Sequence, residues 1–427
     1  MLVFDKNGEL FLEHVKISDI AEFYGTSTYI YSKKKIIDNF YSYKNYSKFK
    51  KMIICFACKT NSNRSILNIL ASLGAGADTT SGGEIYRCIN AGFNPNKIVY
   101  AGVGKTKDEI EYALKNNIFM FNVESLEELE TIDNTAGKLG VKARISFRIN
   151  PDVDPDTHSY IVTGKKGTKF GIPYEEAENA YLIANTKKNI KIAGIHFHIG
   201  SQITNIKPFE LAAKKIKKIV DIIEKNKIKI SYVNCGGGLG IQYSKTSVSS
   251  EEILTPKLLI DTMFTIFNDK TLIFEPGRSI MANAGYLLTK VIYRKNIINN
   301  NKRFIIVDAG MNDLIRPALY GAYHDIIPVK NHGNNLKNNV LTDIVGPICE
   351  NSDFIGKDRI LPVLSQNDLL LVTCAGAYGS AMSSTYNSRP LLAEVLVDND
   401  SLILIRKRGN YSDLTSNEIY LKKRINK

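Results

Sequence analysis

From residue 53 to residue 278, short apolar runs alternate with helix-like segments about eight times. No other feature restricts the fold of this chain as strongly. The strand candidates are "IICFA", "GADTT", "KIVYAG", "IFMFNV", "ARISFRIN", "KIAGIHFHI", "ISYVNC" and "TLIFEPG". Between them lie patterns such as "SNRSILNILASLG", "SGGEIYRCINAG" and "TKDEIEYALKNN", with apolar residues at i, i+3 and i+4 and a closing Gly or Asn. A strand that returns through a helix pairs in parallel, because the crossover is too long for a hairpin. Repeated about eight times, this unit predicts an α/β fold, a closed (β/α)8 barrel.

The texture changes after residue 280. "GYLLTKVIYRKNII", "RFIIVDAG", "LTDIVGP", "DLLLVTCAGAYG" and "RPLLAEVLVDND" are strand-like runs with little helix between them. The expected organisation is an N-terminal β segment (1–25), a barrel (26–280) and a mainly β C-terminal domain (281–427) that the N-terminal segment joins. The asparagine-rich stretches "NIINNNKR" and "KNHGNNLKNN" read as exposed loops. A chain of 427 residues, 44% hydrophobic and 23% charged, has ample core for two or three domains. No apolar run reaches the ~18 residues of a membrane helix. The start, "MLVFDKNGELFLEHVKI", lacks the charged and apolar regions of a secretory signal. The expectation is a cytoplasmic protein without a membrane partner.

The net charge of +13 raises nucleic-acid binding, but no binding motif accompanies it. In "KKIKKIVDIIEKNKIKI" the lysines fill the polar face of an amphipathic helix, and no nucleic-acid partner is expected. Six cysteines at 55, 58, 88, 235, 349 and 374 make no disulfide framework. Cys55 and Cys58 form a C-x-x-C in a β-like run. They are expected to point to opposite faces of a strand and to pack rather than to bind metal or exchange electrons.

Functional groups of a (β/α)8 barrel sit at the carboxyl ends of its strands. There the sequence offers Lys59, Asp78, Arg148, His196 and His198, the "GGGLG" loop (236–240), and "EPGR" with Glu275, Gly277 and Arg278. Each has a plainer reading: a solvated lysine, a simple glycine turn, a Glu275–Arg278 salt bridge. Position argues otherwise. A lysine desolvated at a barrel mouth is suited to bonding a carbonyl carbon. The loops after strands 7 and 8 are the usual phosphate cradle of this fold, where close backbone N–H groups need glycine. Two histidines at i, i+2 could ligate a metal, but His14, His158, His324 and His332 lie at no predicted barrel strand end, so no metal is expected. A neutral imidazole against a flat cofactor fits better. Lysine, phosphate cradle, imidazole and carboxylate together describe a pyridoxal 5'-phosphate site. Lys59 would carry the cofactor, and Glu275 would bond the pyridine nitrogen.

The chain also resembles the fold-type III pyridoxal phosphate decarboxylases. The resemblance rests on an ordered set along most of its length: "FACKTNSN", "GADTTSGGEI", "RINPDV", "GTKFGI", "HFHIGSQI", "NCGGGLGI", "FEPGRSI", "DAGMNDLIRPALYGAYHDI", "GPICENSD", "CAGAYGSAMSSTYNSRP" and "AEVLV". It implies a carboxy-lyase that converts meso-2,6-diaminopimelate to L-lysine and CO2, the last step of bacterial lysine biosynthesis. By resemblance, Lys59 is the cofactor lysine and His198 the ring-stacking histidine. Asp78 and Gly277 are cofactor contacts. Ser201, Gly236, Gly237, Gly238 and Arg278 hold the phosphate, and Glu275 holds the pyridine nitrogen. Tyr378 touches cofactor and substrate. Arg278, Arg316 and Tyr320 grip the distal carboxylate, Glu350 reads the distal amino group, and Cys349 donates a proton. The family's "CE" loop enters the neighbouring subunit's active site, which implies a homodimer.

"RPALY" agrees in spacing, since it puts Arg316 and Tyr320 on one side of a helical turn. Thr60 stands where the family usually has alanine, and Asn351 where serine is common. The competing readings are another decarboxylase of basic amino acids, an inactive regulatory relative, and a metal-dependent barrel hydrolase.

Overall fold

The structure, a computed structural model, describes all residues except 1, 49, 156–162, 166, 245–253, 298–301, 332–339 and 422–427. Most of the two asparagine-rich stretches therefore lies outside the described residues. The chain divides into two compact units, 34–283 and 1–33 together with 284–427.

The first unit is the barrel. Its strands are β1 (Met52–Ala57), β2 (Gly76–Thr79), β3 (Ile98–Tyr100), β4 (Met120–Val123), β5 (Ala143–Asn150), β6 (Ile190–His196), β7 (Tyr232–Asn234) and β8 (Thr271–Phe274). Each pairs in parallel with the next, and β8 pairs with β1 through Leu272 opposite Met52, which closes the ring. All eight candidate runs form these strands. Cys55, Val99, Phe119, Met120, Ala193 and Ile273 pack together as one buried cluster. Intervening helices begin where side-chain oxygens meet otherwise unpaired N–H groups: Asn63, Ser81, Thr106, Ser125 and Thr255 each cap one. Thr106 and Glu109 complete a capping box. The lysine-rich segment is the helix Lys207–Lys225. It buries Ile216, Ile219, Val220 and Ile223, while Lys214 pairs with Glu210 and Lys217 with Asp221 along its outer face. Its positive charge is a solvated helix face.

The second unit is mainly β. The 13-residue strand Gly285–Ile297 pairs with Thr28–Ser32 and Leu369–Val372 through its first half, and with Lys302–Val307 through its second. Thr28–Ser32 also pairs in parallel with Ala393–Asp398. Leu10, Leu12, Val15, Ile17 and Ile20 share a core with Ile30, Tyr286, Leu288, Leu371, Val395 and Val397. The N-terminal segment thus joins the C-terminal domain, as expected. Two details differ from the sequence expectation. Thr28–Ser32 belongs to this sheet and not to the barrel, because all five residues are buried between two neighbouring strands. The N-terminal segment also includes a helix, Ile17–Tyr24, whose Ile17 and Ile20 face the core.

Candidate active site

Lys59 lies in the middle of the turn that follows β1. The strand stops at Ala57, and Cys58–Thr60 form a 3-10 turn closed by Asn61 N–H to Cys58 O (3.1 Å) and Thr60 Oγ1 to Ala57 O (2.7 Å). Cys58 is therefore not on the strand, contrary to the sequence expectation. It and Cys55 are buried free thiols. Burial pushes the Cys55 thiol up, so that it behaves as an apolar side chain. The turn leaves Lys59 partly exposed, with Nζ 3.0 Å from Oδ2 of Asp78 at the end of β2. Asp78 is 1% exposed. Burial and the nearby Glu275 raise its carboxyl to about 7, against the attraction of Lys59.

Glu275 sits just beyond β8. The strand register explains its surroundings: His196 on β6 lies opposite Asn234 on β7, and Asn234 opposite Ile273 on β8. Oε1 of Glu275 accepts from Asn234 Nδ2 (2.6 Å) and, at 3.4 Å, from Asn122 Nδ2, which is itself fixed by Ser146. Oε2 lies 3.5 Å from His196 Nε2, close enough for charge attraction and too long for a strong hydrogen bond. Burial opposes ionisation of Glu275. His196, Lys59 and Asn234 outweigh it and hold the carboxyl at about 2, so it is an anion at neutral pH.

His198 also departs from expectation. β6 ends at His196, and Ile199 O beyond it accepts from Thr163 N and Gly164 N, so the chain has left the ladder. The two histidines do not share a strand face. His198 Nδ1 accepts the Gly237 N–H at 3.2 Å, which fixes the proton on Nε2. Burial, then Arg148 and Lys59, push its pKa well below the usual value, so the ring is neutral.

The glycine loop is tight. A Cβ at Gly236 would meet Phe197 O at 2.6 Å, at Gly237 the Glu275 O at 2.3 Å, and at Gly238 the Gly200 O at 2.6 Å. Gly236 and Gly238 also adopt left-handed φ of 65° and 110°. Arg278 opens a short helix and is 7% exposed. Its Nη2 donates to Ser201 Oγ (2.9 Å) and its Nη1 to the Tyr243 hydroxyl oxygen (2.6 Å). No Glu275–Arg278 salt bridge appears among the described residues.

The barrel site fits a phosphorylated pyridine aldehyde. The backbone cradle admits only glycine, a buried cation and hydroxyls lie beside it, and an anionic carboxylate stands ready for a ring N–H. Asp78 Oδ1 and both ring nitrogens of His196 are buried without a hydrogen-bond partner among the described residues.

Gly277 adds a local constraint. A Cβ there would lie 2.4 Å from Thr60 Cγ2 and 2.9 Å from Ala57 Cβ. Gly277→Ala should therefore push the Lys59 turn outward and weaken cofactor affinity at least about tenfold, with overpacking costing about 1–3 kcal/mol. Adding Thr60→Ala should recover part of the loss in a cofactor titration. Unchanged affinity in the single variant would show that the turn yields freely.

The remaining predicted residues lie in the β unit. Arg316 and Tyr320 bound one short helix, as "RPALY" predicts. Arg316 is buried and Tyr320 half-buried. Tyr378 takes a left-handed φ of 57°. Cys349 is exposed, with Sγ 3.3 Å from Asn387 Oδ1. Glu350 accepts from the Tyr386 hydroxyl at 2.6 Å. Sequence reasoning missed Asn122 and Asn234 around Glu275, and named His196 as a strand-end candidate without placing it beside Glu275. Only register across neighbouring strands brings them together; the "HFH" and "VNC" motifs offered the sole signal.

The model for the pyridoxal binding domain of pyridoxal-dependent decarboxylases matches residues 33–282. The chain belongs to the pyridoxal-dependent decarboxylases. The cofactor of this decarboxylase family is pyridoxal phosphate, the group that the barrel site fits. The chain is 47% identical to the diaminopimelate decarboxylase of Aquifex aeolicus over 95% of its own length and 94% of that protein's. It superposes on diaminopimelate decarboxylase from Helicobacter pylori complexed with L-lysine with a TM-score of 0.88, at 43% identity, covering 93% of this chain and 98% of that one. For the M. jannaschii diaminopimelate decarboxylase in co-complex with L-lysine the TM-score is 0.90 at 39% identity, covering 98% and 97%. Among the described residues of this decarboxylase family member, no helix is long and apolar enough to cross a membrane.

Proposed function

We propose that this chain is a homodimeric, pyridoxal phosphate-dependent carboxy-lyase that converts meso-2,6-diaminopimelate to L-lysine and CO2. The observation that carries the reading is the constellation of Lys59–Asp78, the Asn-clamped Glu275 and the glycine cradle. It occurs in a chain 47% identical along nearly its whole length to a diaminopimelate decarboxylase.

When bound, the cofactor supplies the electron sink that makes loss of CO2 from an amino acid feasible. The protein's residues do the rest. Lys59 Nζ would hold the cofactor covalently, while Asp78 keeps the lysine in place. Gly236, Gly237, Gly238, Ser201 and Arg278 bind the phosphate, with Gly277 making room for the Lys59 turn. His198 offers a neutral ring face. Glu275 keeps a proton on the pyridine nitrogen because the carboxylate itself stays ionised. Tyr378 contacts cofactor and substrate. Arg278, Arg316 and Tyr320 grip the distal carboxylate, for which a guanidinium offers a two-pronged match. The partner subunit's Cys349 delivers the proton that replaces the departing carboxylate, and the partner subunit's Glu350 binds the distal ammonium.

A decarboxylase of ornithine or arginine would have no use for a second carboxylate clamp, and Arg316 favours the dicarboxylic substrate. A metal-dependent hydrolase would need the two barrel histidines as ligands, but His198 Nδ1 accepts from Gly237 and His196 faces Glu275.

Subunit mixing tests substrate and assembly together. Lys59→Ala and Cys349→Ala chains should each be inactive alone on meso-diaminopimelate. Random exchange makes about half the dimers mixed, each with one intact site of two, so activity should return to roughly a quarter of wild type. Ornithine should be turned over at least about tenfold less well, since an unpaired buried charge costs about 2–5 kcal/mol. A verified mixed dimer that stays inactive refutes the shared site. Equal use of ornithine refutes the substrate.

A further inference from the structure

Arg316 is 5% exposed, and burial makes each hydrogen bond its guanidinium can donate valuable. Its Nη1 donates to Nε2 of His324 at 2.8 Å. His324 is fully buried, and its Nδ1 stands 2.8 Å from the carbonyl oxygen of Thr373. A carbonyl can only accept, so Nδ1 carries the proton and Nε2 presents its lone pair to the arginine. The relay joins the short helix Arg316–Tyr320 to the end of the strand Leu369–Val372. A carboxylate in place of His324 could also satisfy the N–H, but it would add a negative charge beside the arginine. A neutral imidazole satisfies it without adding one. Nothing in the sequence pointed to this role, since His324 lies at no predicted barrel strand end.

We infer that His324 is a positioning residue for Arg316: tied to Thr373 O, it aims the guanidinium and leaves its charge for a carboxylate of the bound amino acid. The inference rests on the proposed carboxylate-binding role of Arg316. Outer partners of this kind typically change affinity or activity by about 10–100-fold when removed. The loss should appear in carboxylate binding and not in the chemistry of the reacting carbon.

The test uses the cofactor-loaded protein and four chains: wild type, Arg316→Ala, His324→Leu and His324→Gln. Binding of L-lysine is compared with binding of cadaverine, the same diamine chain without a carboxylate, and turnover of meso-diaminopimelate is measured alongside. His324→Leu should weaken L-lysine binding and raise KM at least about tenfold, leaving kcat within about threefold and cadaverine binding within about twofold. His324→Gln keeps an acceptor for Arg316 and should recover most of the L-lysine affinity. Equal weakening of L-lysine and cadaverine would mean a general packing defect and overturn the inference, as would a leucine variant that folds and binds both normally. If Arg316→Ala weakens L-lysine but His324→Leu does not, the His324 inference alone fails. If Arg316→Ala leaves L-lysine binding unchanged, the carboxylate role of Arg316 fails and the inference fails with it.

Discussion

Lys59→Ala is expected to abolish decarboxylation, by at least about four orders of magnitude, the scale seen when a covalent catalyst is removed. Cofactor that borohydride fixes to the wild-type protein should wash off the variant. The fold should survive. Lys59 is partly exposed, and the group that loses its partner, Asp78, already titrates at about 7 because burial and Glu275 raise it. Without the ammonium its carboxyl rises further and takes up a proton, so no buried anion is stranded. The sign of the pH effect follows. In the folded chain Asp78 binds its proton more tightly than in the unfolded chain, so its contribution to stability falls as pH rises from the unfolded value towards about 7. In Lys59→Ala the upper edge of that window should move upward in melting curves measured across pH. Covalent cofactor after borohydride in the variant would place the anchor elsewhere.

Glu275→Gln is expected to lower kcat at least about a hundredfold, the usual cost of deleting one preorganised electrostatic contact, with cofactor still bound. Glutamine keeps the shape, and Asn234 Nδ2 can still donate to the amide oxygen. What it loses is the charge. His196, Lys59 and Asn234 overcome the burial penalty to hold the carboxyl ionised, which is worth doing only if an anion is needed at that place. A neutral amide cannot keep a proton on a ring nitrogen. Steady-state kinetics with a parallel cofactor titration separate the two effects. Near-normal turnover would show that the charge at residue 275 is dispensable.

Both residues were legible in the sequence because barrels advertise their chemistry. Polar residues that close apolar runs, such as Lys59 and Glu275, mark strand ends, and strand ends are where such a fold places its site. Glycines in a row after the seventh strand were equally plain, since the backbone approaches at Gly237 and Gly238 exclude any Cβ. Boundaries were less legible. Thr28–Ser32 falls inside the expected barrel bounds (26–280), and its membership of the other sheet depends on partners more than 250 residues away, Gly285–Leu288 and Ala393–Val397. Cys58 and His198 continue apolar runs, so periodicity extends their strands; side-chain and backbone bonds of Thr60 and Asn61 turn the chain at Cys58, and bonds from Thr163, Gly164 and Gly237 hold it off the ladder at His198.

The sequence by itself determined the barrel, the β unit and the family. These follow from periodicity and from residue types needed at strand ends, which are local. Tertiary structure decided the electrical state of those residues. Glu275 is an anion because His196 on β6, Lys59 beyond β1 and Asn234 on β7 converge on it, and Asp78 is raised to about 7 because it is buried beside that anion. A pKa is set by what lies within a few ångströms, and in a closed barrel those neighbours come from strands far apart in the chain.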